Sequence, residues 1–327
     1  MKRVYVHRLA DWYDLYMDGA NEALLASFAE VVSEGSRAEP FGEDELIQRM
    51  KGANIILSLN GMGTKEITEN VLKKTGTVEL ICISHWWEQF ADAEKNTGIR
   101  VIEGSNCNTV AVAEWTVCAA LMGIRKLSGF DAKLKAGSVW CEPRRTVGLL
   151  CESTVGLVAL GRIGRYVAKY MRSLGARVIA CDKLATEKDA AELDIELAGM
   201  DDVFKKSDVI SLHLPVLPST KGLIGAEHFA KIKDGAVFIN SSRAAVYDEN
   251  ALVAELQKGR FDAYLDVFSV EPLPLDHPFR RMTNVLITPH LAGDNIAMFR
   301  RCGREAILTI KEYCETGRIV DRKFMFP

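Results

Sequence analysis

The strongest local indication of the fold is the segment Thr154–Gly164, with the sequence TVGLVALGRIG. An apolar β-like run leads into a glycine-containing turn, and a helical pattern begins at once. Dinucleotide-binding folds need this arrangement, because the backbone must approach a pyrophosphate closely and the helix N-terminus offers unpaired N–H groups. Gly161 is the candidate for the close approach and Gly164 for packing of the helix, with Arg162 and Ile163 between them.

One position of this turn departs from the GxGxxG pattern, because Ala159 stands where the first glycine is expected. Alanine costs little there if φ is negative and more if φ is positive. A strand–helix turn that binds no ligand is therefore an alternative. Asp182 stands eighteen residues after Gly164, at the end of the next strand-like run. A carboxylate there accepts ribose hydroxyls and repels a 2′-phosphate, which favours NAD over NADP, although Lys183 beside it leaves some use of NADP open.

Strand-like runs alternate with helical patterns on both sides of this motif, and such alternation predicts an α/β fold with parallel sheets. From residue 154 onward the pattern predicts one doubly wound, Rossmann-type sheet. Its six predicted strands are Thr154–Leu160, Arg177–Cys181, Val209–Leu214, Ala236–Ile239, Asp262–Leu265 and Val285–Ile287. Upstream, Lys2–His7, Ala53–Leu59 and Val78–Ser84 are β-like. Thr109–Ile124 reads as a helix that is apolar nearly all round and must be buried in a core or against another subunit.

Composition excludes several classes of protein. The 41 basic and 44 acidic side chains give a formal charge of -3, which argues against nucleic-acid or membrane-surface binding driven by bulk charge. The longest apolar run, Trp115–Ile124, is too short to cross a bilayer. No secretory signal follows Lys2 and Arg3. The eight cysteines include no CxxC pair, so reduced thiols, a cytoplasmic location and no metal site are expected.

Four further blocks carry a resemblance to a known family. They are His213-Leu214-Pro215 with Thr220, Asn240–Asp248, Leu265–Pro272 and Thr288-Pro289-His290. Together with the glycine-containing turn, in this order and at compatible spacing, they resemble the D-isomer-specific 2-hydroxyacid dehydrogenases. The resemblance implies a discontinuous pair of domains. Residues 107–290 would form the NAD-binding Rossmann domain, inserted into a smaller flavodoxin-like, substrate-binding domain of residues 1–106 and 291–327.

The resemblance also implies three catalytic residues. His290 is suited to be the general acid/base, because imidazole titrates near neutral pH. Glu271 would hydrogen-bond the other ring nitrogen, fix the tautomer and keep His290 protonated for reduction of a 2-keto acid. Arg243 offers two parallel donors to the substrate carboxylate and carbonyl oxygen. Each of the three has an ordinary structural alternative on its own, such as a pairing of Arg243 with Asp248.

Cofactor and substrate contacts follow from the same resemblance. Asp266 would face the nicotinamide end, because ligands of open α/β sheets lie at the carboxyl ends of strands. The expected NAD contacts are Gly161, Arg162, Ile163, Gly164, Asp182, His213, Leu214, Pro215, Thr220, Ser241, Ser242, Arg243, Asp266, His290 and Gly293. The expected substrate contacts besides Arg243 are Asn60, Gly61, Met62, Gly63, His85, Trp86 and Trp87. The tryptophans replace a glycine loop usual in the family, and either an apolar pocket or a packing or partner surface explains them.

The predicted function is that of an NAD-dependent D-2-hydroxyacid dehydrogenase. Glyoxylate or hydroxypyruvate reductase and phosphoglycerate dehydrogenase-like activities are alternatives, as is a non-enzymatic NAD-sensing protein similar to corepressors of the same superfamily. The helix at 109–127, with Val112-Ala113-Glu114, resembles the family's dimer helix, and Trp140 follows in what is often a dimer arm. A homodimer is therefore predicted, with a monomer that buries this helix in its own core as the alternative.

Overall fold

The computed structural model describes residues 1–7, 12–33, 39–59, 66–83, 95–103, 108–140 and 148–319. The chain divides into two compact units, of which the first comprises Met1–Asn108 with Asp294–Pro327 and the second Thr109–Gly293. Each unit is built around a parallel sheet of its own. In the described parts of the chain, no helix has an apolar stretch long enough to cross a bilayer.

The sheet of the first unit contains five described strands. They are β1 (Lys2–His7), β2 (Ala29–Ser33), β3 (Ile55–Ser58), β4 (Leu80–Ile83) and β5 (Arg100–Glu103). The strands are parallel and lie in the order β2-β1-β3-β4-β5, which is that of flavodoxin-like sheets. The inner strands β3 and β4 are buried along their whole length, as expected for apolar strands covered on both faces.

The sheet of the second unit contains seven described strands. They are β6 (Thr154–Val158), β7 (Arg177–Cys181), β8 (Glu196–Leu197), β9 (Val209–Leu212), β10 (Val237–Asn240), β11 (Asp262–Leu265) and β12 (Val285–Ile287). Their order is β12-β11-β10-β9-β6-β7-β8, all parallel. Counted from β6, this is the Rossmann order 3-2-1-4-5-6 with a seventh strand at the outer edge. The predicted fold class is confirmed, and the edge strand β8 adds to the six predicted strands.

Twelve α-helices of four or more residues lie between or after these strands in the described ranges. They are α1 (Trp12–Tyr16), α2 (Gly19–Ala26), α3 (Glu43–Arg49), α4 (Glu69–Thr75), α5 (Asn108–Ile124), α6 (Leu127–Lys135), α7 (Arg162–Ser173), α8 (Glu187–Leu193), α9 (Met200–Lys206), α10 (Ala226–Phe229), α11 (Glu249–Gln257) and α12 (Ile296–Thr316). Helix α12 packs against α1 and α2 in the first unit, so the end of the described chain returns to the sheet formed by its beginning.

Helix α5 covers one face of the second sheet with its small and apolar residues. Gly123 packs against Val237 of β10 so closely that a Cβ atom on the glycine would come within 2.5 Å of the valine Cγ1. The opposite side of the helix is open in the single chain, where Glu114, Cys118 and Leu121 are exposed. The apolar helix predicted from the sequence is therefore buried along one face only.

The turn between β6 and α7 is held in a strained conformation. Ala159 has φ 79°, in the left-handed region where a Cβ atom crowds the following carbonyl, although its N–H donates to the carbonyl of Cys181 at 2.8 Å. Gly164 packs on the same residue, since a Cβ atom there would come within 2.3 Å of the Ala159 carbonyl oxygen. The alanine thus costs free energy, and the glycine is required.

Opposite effects on stability are expected from exchanging small residues within this turn. Ala159→Gly relieves the left-handed strain and should raise the free energy of unfolding by about 1 kcal/mol. Gly164→Ala overpacks the turn and should lower it by about 2 kcal/mol. Urea unfolding followed by circular dichroism measures both. Equal stability of Ala159→Gly and wild type would show that the turn relaxes and that φ of residue 159 carries no strain.

Candidate active site

A hydrogen-bonded carboxylate–imidazole pair lies at the carboxyl-terminal side of the second sheet. Glu271 belongs to the loop after β11, and His290 to the turn after β12. The Nδ1 atom of His290 lies 2.8 Å from Oε2 of Glu271, and the other carboxylate oxygen accepts the N–H of Phe268 at 2.9 Å. The side chains are 46% and 36% exposed, so both are reachable from solvent. With Nδ1 bound to a carboxylate, Nε2 is the ring atom left to exchange a proton.

The charge of this pair is tuned by its surroundings. Partial burial raises the pKa of Glu271, but hydrogen bonds from His290 and from the N–H of Phe268 outweigh burial, and the positive charges of His290 and Arg243 act in the same direction. The net result is a pKa below the ordinary value for glutamate. Glu271 is therefore an ionised acceptor at neutral pH, the state needed to hold an imidazole in one tautomer.

Arg243 lies in the turn after β10, which Asn240 organises. The amide of this buried asparagine donates to the Arg243 carbonyl at 3.1 Å, and its oxygen accepts from the N–H and hydroxyl of Ser242. The exposed Arg243 guanidinium donates through Nη1 to the Ser242 carbonyl at 2.7 Å. Within the described part of the chain, no carboxylate lies within ion-pair distance of it; Asp248, the alternative partner, caps helix α11 instead. Most donors of Arg243 remain available to an anion.

The glycine-containing turn has room for the phosphates of a dinucleotide. A Cβ atom on Gly161, the residue preceding α7, would meet no atom within 4 Å, and no described side chain caps this helix. His213 follows β9 and is 9% exposed, and its buried Nε2 has no hydrogen-bond partner among the described atoms. Burial lowers the pKa of His213 to about 4, so its imidazole is neutral. An open glycine, an uncapped helix N-terminus and an unpaired buried nitrogen all fit a bound dinucleotide.

Asp182 lies at the carboxyl end of β7, where a ribose contact is expected, and it also holds the local backbone. Its Oδ2 accepts the N–H of Leu160 at 2.7 Å, while Oδ1 accepts the N–H groups of Leu184 and Ala185 at 2.7 and 3.1 Å. The carboxylate therefore ties the turn after β6 to the loop after β7. Lys183 next to it is exposed.

The remaining predicted cofactor contacts are distributed over the loops at the same side of the sheet. Thr220 ties the loop that follows His213-Leu214-Pro215, since its hydroxyl donates to the Pro215 carbonyl at 2.6 Å and accepts the Leu217 N–H at 2.8 Å. The Ser241 hydroxyl lies 3.3 Å from that of Thr116 on helix α5 and is buried. Gly293 lies in the turn after His290, and Arg162 and Ile163, the first two residues of α7, are half-buried.

Asp266 is the most buried of the predicted site residues, at 1% exposure. Its carboxylate accepts the Thr288 hydroxyl at 2.5 Å and the N–H groups of Leu291 and Ala292 at 2.9 Å each. These donors all belong to the turn that carries His290. Sequence reasoning assigned Asp266 to the cofactor and missed this contact, because the donors lie more than twenty residues further along the chain.

A pocket of about 580 Å³ adjoins the catalytic pair and was not predicted from the sequence. Its lining residues are Phe268, Glu271, Pro272, Leu273, Arg280, Ile287, Thr288, Pro289 and His290. The walls are largely apolar. The predicted substrate contacts of the first unit, Asn60, Gly61, Met62, Gly63, His85, Trp86 and Trp87, lie outside the described residues. In the described ranges, no group of three or more histidine, cysteine and acidic side chains is placed to hold a metal ion.

Comparison with known proteins gives relatives that match most of the chain. The chain is 31% identical to hydroxypyruvate reductase of Thermotoga maritima over 276 residues, which is 83% of this chain and 88% of the relative. It is 35% identical to D-3-phosphoglycerate dehydrogenase of Mycobacterium leprae over 221 residues. That match covers 67% of this chain and 42% of the relative, so the chain spans less than half the length of this dehydrogenase.

Solved structures share the fold over nearly the full length. The TT0316 protein from Thermus thermophilus is 27% identical with a TM-score of 0.74, and the match covers 97% of this chain and 98% of that one. The D-isomer specific 2-hydroxyacid dehydrogenase of Lactobacillus delbrueckii ssp. bulgaricus in its NAD-complexed form has a TM-score of 0.80 with complete coverage of both chains. At 23% identity, it supports the fold alone.

A family model covers more than half of the chain and includes the turn after β6, Arg243, Glu271 and His290. Residues 117–292 match the NAD-binding domain of the D-isomer specific 2-hydroxyacid dehydrogenases. The match spans the seven-stranded sheet and the loops at its carboxyl-terminal side. The family membership predicted from the separate sequence motifs is therefore confirmed. The chain belongs to the D-isomer specific 2-hydroxyacid dehydrogenase family.

Proposed function

We propose that this protein is an NAD-dependent D-2-hydroxyacid dehydrogenase that interconverts a 2-keto acid and a D-2-hydroxy acid. The observation that carries the proposal is the 2.8 Å contact between His290 Nδ1 and Glu271 Oε2, in a chain of this family. A solvent-accessible imidazole held by an ionised carboxylate is the device that general acid/base catalysis requires. NAD, when bound, supplies or accepts the hydride.

Residues of this chain transfer the proton and bind the substrate. In reduction, Nε2 of His290 donates a proton to the oxygen of the former keto group, and Glu271 stabilises the charged ring and fixes its tautomer. Arg243 binds the substrate carboxylate and polarises the keto group through its free N–H donors. In oxidation, the neutral Nε2 accepts the hydroxyl proton. These roles, and the cofactor and substrate contacts named from the sequence, are part of the proposal.

Hydroxypyruvate or glyoxylate is the favoured alternative to a larger keto acid. The relative named hydroxypyruvate reductase matches along 88% of its length, whereas the phosphoglycerate dehydrogenase of Mycobacterium leprae matches along 42%. Apart from the Glu271–His290 pair and Thr288, the pocket is lined by apolar side chains and one arginine, Arg280, which already donates to the carbonyls of Leu273 and Pro274. This lining favours an uncharged substrate side chain over a phosphate.

Replacement of His290 by asparagine should abolish the proton transfer while leaving a side chain that still donates to Glu271. We expect kcat for reduction of the preferred 2-keto acid to fall about 10²- to 10⁴-fold, while the variant still binds NADH. Oxidation of NADH against a panel of glyoxylate, hydroxypyruvate, phosphohydroxypyruvate, pyruvate and larger keto acids measures this, and Glu271→Gln should show a smaller loss. The control is His228→Asn, which makes the same replacement on helix α10, away from the catalytic pair.

Two outcomes of the panel would contradict the proposal. Undiminished turnover in His290→Asn would remove the residue from catalysis. Tight NADH binding without turnover of any substrate would favour the non-enzymatic, NAD-sensing alternative.

Cofactor preference depends on Asp182 in the proposed complex. In Asp182→Asn the negative charge that would repel a 2′-phosphate is lost, so the ratio of kcat/KM for NADPH to that for NADH should rise about tenfold. The asparagine amide must also face one of the N–H groups that the carboxylate accepts, so the variant should be less stable by about 1–2 kcal/mol. Glu187→Gln removes the same charge from the exposed start of α8 as a control. An unchanged ratio would show that another group selects the cofactor.

A homodimer and a cytoplasmic location complete the proposal. Large apolar side chains are exposed along and after α5 and α6, among them Leu121, Leu127, Leu134, Val139 and Trp140, the last two at 96% and 75%. Such a patch supports an interface with a second copy through the 109–127 helix and the Trp140 arm. The described cysteines are free thiols, as expected in a reducing compartment.

A charge placed on the exposed side of α5 should separate the proposed dimer. Leu121→Glu puts a carboxylate into the interface, and we expect sedimentation velocity to show a monomer at micromolar concentration where the wild type sediments as a dimer. Leu275→Glu, at another exposed leucine of the same unit, should leave the dimer intact. A wild-type chain that sediments as a monomer, or a dimer unaffected by Leu121→Glu, would contradict this interface.

A further inference from the structure

The carboxylate of Asp266 accepts hydrogen bonds from three donors of one short turn. It lies directly after β11, and its three donors are the hydroxyl of Thr288 and the N–H groups of Leu291 and Ala292. At 1% exposure the carboxylate has lost its contact with water, and these hydrogen bonds replace it. The contacts therefore bind residues 288 and 291–292 to the end of the neighbouring strand, on both sides of His290.

His290 occupies a backbone conformation that this turn must maintain. Its φ is 55°, in the left-handed region, and its N–H donates to the carbonyls of Asp266 at 2.9 Å and Thr288 at 3.0 Å. Histidine enters this region more easily than most side chains, but surrounding contacts must still hold it there. Asp266 supplies them through both its carbonyl and its carboxylate, and the resulting backbone directs the imidazole onto Glu271.

We propose that Asp266, besides making the cofactor contact expected of it, is a positioning residue for His290, acting through Thr288 and the N–H groups of the 288–292 turn. The proposal rests on the catalytic role proposed above for His290. Charge and shape both matter here, because the oxygens of Asp266 face donors on two sides and only a carboxylate presents acceptors to all of them.

Asp266→Asn is the central test, since it keeps the size of the side chain. Whichever way the amide is turned, its NH₂ group faces Leu291 N–H or Ala292 N–H, so one hydrogen bond is replaced by two opposed donors. A displaced proton donor costs about 10²-fold in rate, and we expect this loss in kcat for keto-acid reduction. The KM for the keto acid should change less than about threefold. The Kd for NADH, measured by fluorescence titration, reports separately on the cofactor contact of Asp266.

Variants at Thr288 separate positioning from cofactor binding. Thr288→Val removes the hydroxyl that donates to Asp266 and should lower kcat about tenfold without weakening NADH binding. Thr288→Ser restores the hydroxyl and should recover most of the rate. If Asp266 acts only by holding the cofactor, Asp266→Asn will raise the Kd for NADH and Thr288→Val will leave kcat intact, which would overturn the proposal.

A measurement on the protein without substrate or cofactor separates this proposal from the proposed function. Hydrogen exchange of a peptide covering residues 288–293 should be faster in Asp266→Asn and in Thr288→Val than in wild type, and Thr288→Ser should resemble wild type. Exchange elsewhere, for example in α7, should be unchanged. If the turn exchanges as slowly in the variants as in wild type, the proposal fails whatever the activity. If exchange responds but the wild type reduces no keto acid, the proposed function fails alone.

Discussion

The parallel direction of all seven described strands in the second unit is the constraint from which the site follows. Since every strand ends at the same edge, residues far apart in the sequence lie in neighbouring loops: Asp182 after β7, His213 after β9, Arg243 after β10 and His290 after β12. A parallel sheet needs a crossover helix after nearly every strand, and these helices leave the strand ends open. The sheet therefore gathers polar residues without burying them in its core.

Much of this arrangement is visible in the sequence because it is encoded locally. The strand, turn and helix of residues 154–173 are contiguous, and the blocks around Arg243, Glu271 and His290 each follow an apolar run that forms a strand of the sheet. The edge strands β2, β5 and β8 gave no comparable signal. Strands β2 and β5 mix charged with apolar residues and β8 is two residues long, so none of the three forms an apolar run.

What the sequence did not reveal depends on backbone angles and on contacts between distant residues. The sequence around Ala159 does not predict its left-handed φ, because alanine is ordinarily found at negative φ. The three donors to Asp266 come from residues 22 to 26 positions away, and their convergence requires β11 and β12 to be paired. The sequence marked Asp266 as part of the site, and only the structure showed which groups it binds.

The contacts of Asp182 limit how mutation can change the cofactor preference of this protein. The same carboxylate that faces the expected ribose also receives backbone N–H groups from two separate loops. Cofactor preference and the integrity of the strand–turn–helix motif are thus coupled in one side chain. A substitution of Asp182 that shifts preference toward the phosphorylated dinucleotide therefore also removes a hydrogen-bond acceptor from the motif and lowers its stability. Relieving the strain at Ala159 would offset part of that loss.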